Sequence, residues 1–299
     1  MKNLSFFLLL AISLSFMACE KNILFDPSSS DCLLQSHNID GETSLFEYNN
    51  DLLVFKITEG DTYEVSFSYD SEGKLKKTEF YEHEELIDYQ TFTWTSNSMT
   101  MNDFGFNNEI NLWEETDWKL LYDFNDDGQV IKITEFSKVN NQWIEAGDYY
   151  KFYWTNDNLT KVENLDNYSN SKLKIKKNNP MDYLDFSINV EKFAHPKSSK
   201  SDYSVNSTIN IEYDDKISPF HSQAFVNIYN PIDLNYSLNN PIKKEETYSN
   251  YPDEIRRSSY SYTYNDKNFP KTMFLTNVII SQNDTHTEEE HWTFEYDCE

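Results

Sequence analysis

The sequence predicts an all-β fold, a single elongated antiparallel β-meander built from repeated hairpins, with little or no helix outside an amino-terminal signal segment. Three observations carry this. Apolar and polar residues alternate strictly along run after run. Clusters of Asp, Asn, Ser and Gly punctuate the runs. Aromatic residues reach 16% of 299 residues, with 21 Tyr and 21 Phe against only 6 Gly and 8 Pro. Alternation with period two gives a strand one greasy and one wet face, the pattern of antiparallel sheet. A chain this rich in rings has enough apolar surface to fold.

The amino terminus reads as an address. Residues 1–18 place Lys2 before an apolar stretch from Phe6 to Phe16, too short to remain as a membrane span. Met17-Ala18-Cys19 looks like a bacterial lipobox, which implies cleavage before Cys19 and a lipid on its sulfur. An ordinary secretory peptide and a buried apolar helix are the alternatives. Lys2 is the only charge removed, so the formal net charge of −26 becomes −26 − 1 = −27 after cleavage. Residues 19–31 then read as a lipid-anchored tether, and residues 32–299 as the folded β domain. Glu20 after the cysteine favours the outer membrane over the inner.

The strands follow in order. Tyr63, Val65, Phe67 and Tyr69 alternate with Glu64, Ser66 and Ser68. Leu184, Phe186, Ile188 and Val190 alternate with Asp185, Ser187 and Asn189. Ile209, Ile211 and Tyr213 alternate with Asn210 and Glu212; Tyr260, Tyr262 and Tyr264 with Ser261 and Thr263; Trp292, Phe294 and Tyr296 with Thr293 and Glu295. Ser71-Glu72-Gly73 and Asp126-Asp127-Gly128 place a glycine where a hairpin needs positive φ. Asp214-Asp215-Lys216 and Asn265-Asp266-Lys267 read as turns closed without glycine. Residues 195–207 read as a polar surface loop, and residues 230–244, with Pro231 and Pro241, as a second irregular stretch. A division into two lobes near residue 195 is the weaker arrangement.

Units of 55 to 60 residues echo one another. Tyr69-Asp70-Ser71-Glu72-Gly73-Lys74-Leu75 matches Phe124-Asn125-Asp126-Asp127-Gly128-Gln129-Val130, and each continues to Thr-Glu-Phe, at Thr78 to Phe80 and Thr134 to Phe136. Phe92-Thr93-Trp94-Thr95 matches Phe152-Tyr153-Trp154-Thr155. Such hairpins bury their aromatic face only by stacking side by side. The Tyr-Asp-x-x-Gly turn units resemble degenerate YD (Rhs-like) repeats. The run from Ile211 through Asp214 and Pro219 to Phe220, the segment Tyr264-Asn265-Asp266-Lys267-Asn268-Phe269-Pro270 and the ending Phe294-Glu295-Tyr296-Asp297-Cys298 are similar to segments of Bacteroidota outer-membrane or surface lipoproteins of unknown function. The resemblance implies an envelope lipoprotein and carries over no catalytic residue.

Cys32 and Cys298 lie at the two ends of the body, and an oxidising compartment predicts a bridge between them; two buried free thiols are the alternative. The loop of 298 − 32 = 266 residues gives a chain-entropy ceiling of roughly 5 kcal/mol. With 51 acidic against 25 basic residues the chain repels nucleic acid and anionic membrane surfaces. Scarce glycine disfavours phosphate-cradling loops.

Glu84-Glu85 and Glu288-Glu289-Glu290 read as solvated strand faces. His286, Glu288 and Glu290 share a strand face that His291 opposes, which does not build a tetrahedral zinc site. Asn125-Asp126-Asp127-Gly128 reads as a hairpin turn rather than a calcium loop. No metal, cofactor or catalytic residue is assigned. Trp113, Trp118 and Trp143 sit between strand runs and are candidate binding aromatics.

The expectation is a non-enzymatic, lipid-anchored cell-envelope protein, a scaffold or binding module for a glycan or another envelope protein. The alternatives are a secreted glycan-active hydrolase and a periplasmic lipid carrier with an aromatic cavity. The polar outward faces and the closing Glu299 disfavour a transmembrane barrel.

Overall fold

The computed structural model describes residues 32–60, 62–107, 110–166, 204–220, 237–282 and 284–298. Cys19, the signal segment, the tether, the Leu184 to Val190 alternation, residues 195–203 and residues 230–236 lie outside the described residues. The strands are β1 (Cys32–Ile39), β2 (Glu42–Tyr48), β3 (Val54–Glu59), β4 (Tyr63–Tyr69), β5 (Leu75–Glu82), β6 (Glu85–Trp94), β7 (Ser98–Asn107) and β8 (Leu112–Phe124). They continue as β9 (Val130–Val139), β10 (Gln142–Thr155), β11 (Asn158–Asp166), β12 (Ser204–Ile217), β13 (Asn239–Tyr248), β14 (Tyr251–Tyr264), β15 (Pro270–Ser281) and β16 (Asp284–Cys298).

Each strand pairs antiparallel with the next, and β16 returns to β1, so the meander closes into a 16-stranded barrel. Closure gives every edge strand a partner and leaves no open template for aggregation. The seam is in register from Leu34↔Tyr296 to Cys32↔Cys298, and there the two cysteines are joined with their Cα atoms 4.0 Å apart. The all-β antiparallel reading of the sequence holds. Closure is the feature it did not contain, and β11 pairs directly with β12, so the described strands belong to one sheet.

One face of every strand turns inward. Leu34, Met99, Tyr122 and Leu159 are wholly buried, and they join a core that also takes Phe67, Phe92, Phe124, Phe152, Ile211 and Phe294. Burial of each such side chain stabilises by about 1.5–3 kcal/mol. A barrel of so many strands would enclose a wide channel if its inward residues were small. Here Phe67, Phe92, Phe124, Phe152 and Phe294 belong to one buried cluster, with Tyr48, Tyr69, Trp94, Trp154 and Tyr296 packed against it. The outward face carries ion pairs instead, among them Lys56–Glu64 at 2.7 Å, Arg257–Glu245 at 2.8 Å and Lys243–Glu212 at 3.0 Å. Charge on that wall suits water and is costly against lipid.

A repeating contact accounts for part of the aromatic surplus. The ring that closes each even-numbered strand reaches back to the start of the strand before it. The hydroxyls of Tyr48, Tyr69, Tyr213, Tyr262 and Tyr296 donate to the carbonyls of Leu34, Val54, Leu159, Pro241 and Pro270, at 2.6–2.9 Å. The indole N–H groups of Trp94 and Trp154 do the same to Leu75 and Val130, at 2.7 and 2.8 Å. β8 is the exception among the described strands: its ring, Phe124, has no donor and stacks on Trp94 with centroids 5.6 Å apart. Burial raises the phenol pKa of Tyr69, Tyr213, Tyr262 and Tyr296, so these groups stay protonated and keep donating.

The turns after these rings are built alike. Asn49, Asp70, Asn125 and Asn265 each accept two backbone N–H groups on one side-chain oxygen, two and four residues ahead. The fourth residue of each turn has positive φ: Leu52 at 59°, Gly73 at 78°, Gly128 at 78° and Asn268 at 67°. The two glycines fall where the sequence predicts them, and Asn268 replaces glycine in the Asn265 turn.

Four expectations need correction. Asp214-Asp215-Lys216 is not a hairpin turn but an irregularity inside β12, held open because Asp214 accepts from the backbone N–H groups of Lys216 and Asn240. Residues 204–207 belong to β12 rather than to a loop, since they pair with β11 and Ser207 also pairs with β13. Residues 239–244 form the start of β13, with Pro241 seated at the irregularity, where a missing N–H is tolerated. The Thr-Glu-Phe echo is out of step by one residue: Phe80 pairs with Val65 on the inner face, while Phe136 pairs with Lys119 on the outer face.

Candidate functional site

The inner wall changes character along its length. Near the seam it is apolar; farther along the same strands, inward positions become polar. Thr78 on β5 faces Gln90 on β6, and Gln90 faces Asp103 on β7. Asp88 lies two residues from Gln90, so it is the diagonal neighbour of Asp103, about 7–8 Å away by sheet geometry. The Gln90 amide donates to Asp103 at 3.4 Å. Thr78 Oγ1, Asp88 Oδ1 and Gln90 Oε1 have no hydrogen-bond partner among the described residues. On β9, Glu135 accepts the indole N–H of Trp118 at 2.9 Å.

Burial sets the protonation of this belt. Removal from water, and then the charge of Asp103, push the Asp88 carboxyl up to about 7. Burial raises Asp103 as well, opposed by hydrogen bonds from Gln90 and Thr116. Glu135 is raised by burial against the pull of Trp118. Tyr63 is raised by burial and by its neighbours Glu59, Asp88 and Glu82. The belt is therefore rich in acceptors, with one carboxyl that holds its proton near neutrality. Its chemical complement is a ligand that brings donors: sugar hydroxyls, amides or amines.

Across the barrel the 218–220 turn packs against the inner wall. Phe220 lies edge-on to Phe294, centroids 6.2 Å apart, and to His37, 6.0 Å apart. His37 also packs against Phe46 and Trp292, both at 5.4 Å, and this burial lowers its pKa to about 4, leaving the imidazole neutral at pH 7. Between the turn and strands β14 to β16 lies a cavity of about 100 Å³.

The three candidate tryptophans do not converge. Trp118 faces inward on Glu135. Trp113 is on the outer wall, tilted against Tyr89 and edge-on to Phe106. Trp143 is also outside, with the Lys119 and Lys138 ammonium groups 4.3 and 5.5 Å from its ring centroid. The five-residue step from Trp113 to Trp118 sends them to opposite faces.

His286 and Glu288 share a face, bonded at 3.0 Å, as their spacing predicts; His291 points the other way and stacks on Phe274 at 4.4 Å. Among the described residues no group of three His, Cys, Asp or Glu side chains is placed to hold a metal. Asp126 and Asp127 lie in a hairpin turn. Sequence reasoning missed Asp88, Gln90, Asp103 and Glu135. Their signal was parity: Asp88 and Gln90 share a strand face with Phe92 and Trp94, and Asp103 with Met99 and Met101, so each is a polar residue written into an inward position.

No family model matches the chain, and no curated protein matches it. Solved structures give looser likenesses. A porin-like protein from Bacteroides uniformis aligns over 91% of this chain and 98% of its own at 11% identity, with a TM-score of 0.37. A porin-like protein from Bacteroides vulgatus aligns over 89% and 99% at 10% identity, TM-score 0.36. A protein of unknown function from Bacteroides fragilis aligns over 35% and 76% at 16% identity, TM-score 0.25. At these scores the superpositions compare outlines and assign this chain no function.

Proposed function

We propose that the chain is a lipid-anchored protein of the cell envelope, related to the YD-repeat-like surface lipoproteins, and that its barrel is a non-enzymatic binding module for a glycan or an envelope partner taken at the inner wall. The observation that supports binding is the belt of Thr78, Asp88 and Gln90, where buried polar atoms lack partners among the described residues. Leaving such groups unmade costs about 1–3 kcal/mol each, a cost a donor-bearing ligand would relieve. The ion-paired outer wall favours a barrel standing in water and held to a membrane by a lipid rather than spanning it. The chain enters the barrel at the Cys32 seam, so a tether from Cys19 would leave from the apolar-filled end and turn that end toward the membrane.

Two measurements test this reading. Cys19→Ser is expected to abolish lipid labelling and move the protein to the soluble fraction; unchanged membrane association would reject the anchor. A glycan array probed with residues 32–299 is expected to give hits that Asp103→Ala removes. Hits indifferent to every inner-wall substitution would reject the site.

One observation favours the hydrolase alternative: Asp88, protonated near neutrality, lies diagonal to Asp103, as an acid and its partner carboxylate would. Turnover of a labelled glycan that Asp88→Asn abolishes would establish it. A lipid carrier fits less well: the aromatic cavity is only about 100 Å³ against the 300–1,000 Å³ of usual ligand pockets, and the larger pocket of about 460 Å³ is open and lined by Asn125, Asp127, Gln129, Asn156 and Asp157.

A further inference from the structure

The cavity behind the 218–220 turn has its own chemistry. Its walls are Phe220, Tyr260, Met273, Leu275, Trp292 and Phe294, with Tyr262 and Asn240 at its margin. Most polar atoms of these walls are engaged, although the buried Asn240 side-chain oxygen has no hydrogen-bond partner among the described residues. Tyr262 donates its hydroxyl to the Pro241 carbonyl at 2.9 Å, and Trp292 donates its indole N–H to Glu290 at 2.9 Å. The Asn240 amide nitrogen is directed at Asp214 and the Ile217 carbonyl. What the walls present is mainly carbon, π faces and one thioether, with Ser218 and Asn240 as the polar members of the lining.

We infer that this cavity is a binding site for a single uncharged monocyclic aromatic ring, either as a free molecule or as the end group of a larger ligand. Its volume of about 100 Å³ approaches the ~150 Å³ of an apolar cavity that takes benzene. Ring faces and edges from Trp292, Phe294 and Tyr260 suit offset or edge-on packing of a flat guest, and the Met273 sulfur adds a soft contact that an alkyl chain uses less well. Anions are disfavoured. Glu290 borders the site through Trp292, and His37, tilted against Trp292 and edge-on to Phe220, is neutral and supplies no counter-charge. The site is separate from the Thr78, Asp88 and Gln90 belt and does not depend on the glycan reading.

The test is ¹⁹F NMR titration of the disulfide-intact body, residues 32–299, with 4-fluorotoluene, 4-fluorobenzoate and a fluorinated alkyl alcohol of similar size. Saturable binding of 4-fluorotoluene is expected, with the benzoate and the alcohol at least ~10-fold weaker. Leu275→Trp, which fills the cavity, should weaken 4-fluorotoluene by ~10-fold or more. Should that variant fail to fold, Phe220→Ala enlarges the space and should admit a fluoronaphthalene that the parent protein refuses. A phenyl glycoside of the same ring tests the second source: displacement of 4-fluorotoluene by the glycoside but not by the free sugar would identify an end-group site, and no displacement a site for the free ring. Absence of saturable binding, equal binding of the benzoate, or binding unchanged in Leu275→Trp would overturn the inference. Failure of the glycan array with success here would leave this site standing.

Discussion

Replacing Asp88 by Asn should stabilise the barrel at neutral pH and flatten its pH profile. The carboxyl titrates near 7 in the folded chain against an ordinary 3.8. Because the folded value is the higher one, the folded state holds the proton more tightly than the unfolded state. The associated stability is fully present below about pH 3.8 and is lost as pH rises through about 7. At ~1.36 kcal/mol per pH unit the full displacement corresponds to about 4 kcal/mol. Asp88 is only half-buried, and solvent screening reduces this to about 1–2 kcal/mol. Asn keeps the shape and never charges. Urea unfolding of both proteins at pH 5, 6, 7 and 8 is the assay. That window covers roughly the upper two-thirds of the range from 3.8 to about 7, so the parent should lose about 1 kcal/mol relative to Asp88→Asn across it. Parallel profiles would refute the claim that burial and Asp103 hold Asp88 protonated, whatever the other raised carboxylates contribute to both proteins.

Three further outcomes follow from the repeat and the seam. Leu52 occupies, at φ 59°, the position that Gly73 and Gly128 fill in sister turns, so Leu52→Gly should raise stability by about 0.5–1 kcal/mol; a lower melting temperature would contradict the turn assignment. Tyr69→Phe removes the bond to the Val54 carbonyl and should cost about 1 kcal/mol in chemical unfolding; a neutral result would demote these contacts to packing alone. Reducing the Cys32–Cys298 bridge frees a 266-residue loop and should cost up to roughly 5 kcal/mol, read as a drop in denaturation midpoint, and an unchanged midpoint would mean that β1–β16 pairing alone secures the seam.

Much of the fold was legible because a strand writes its faces into parity. Phe92 and Trp94, or Trp292 and Phe294, declare the inner wall without any knowledge of neighbours. Closure was not legible. It depends on sixteen registers and on the twist they accumulate, and only Cys32 and Cys298, one at each end, hinted that the first and last strands meet. Asp214 misled because an acidic pair beside a lysine has turn composition, yet its carboxylate is spent on Asn240 of the next strand and on the Tyr264 hydroxyl. The polar belt was legible in principle: Asp88 and Asp103 break the rule of apolar residues at inward parity. The 218–220 turn and its cavity were not, because a chain that folds back against a wall leaves no periodic trace.

Thiol accessibility along β6 tests the central claim most directly. In detergent-free protein, a cysteine at Thr93, on the exposed outer wall, should react with maleimide at the rate of an unfolded control, whereas one at Phe92, on the buried inner wall, should react far more slowly until denaturant is added. Fast labelling at Phe92 with protection at Thr93, or protection at both that detergent relieves, would turn the barrel inside out and contradict the account.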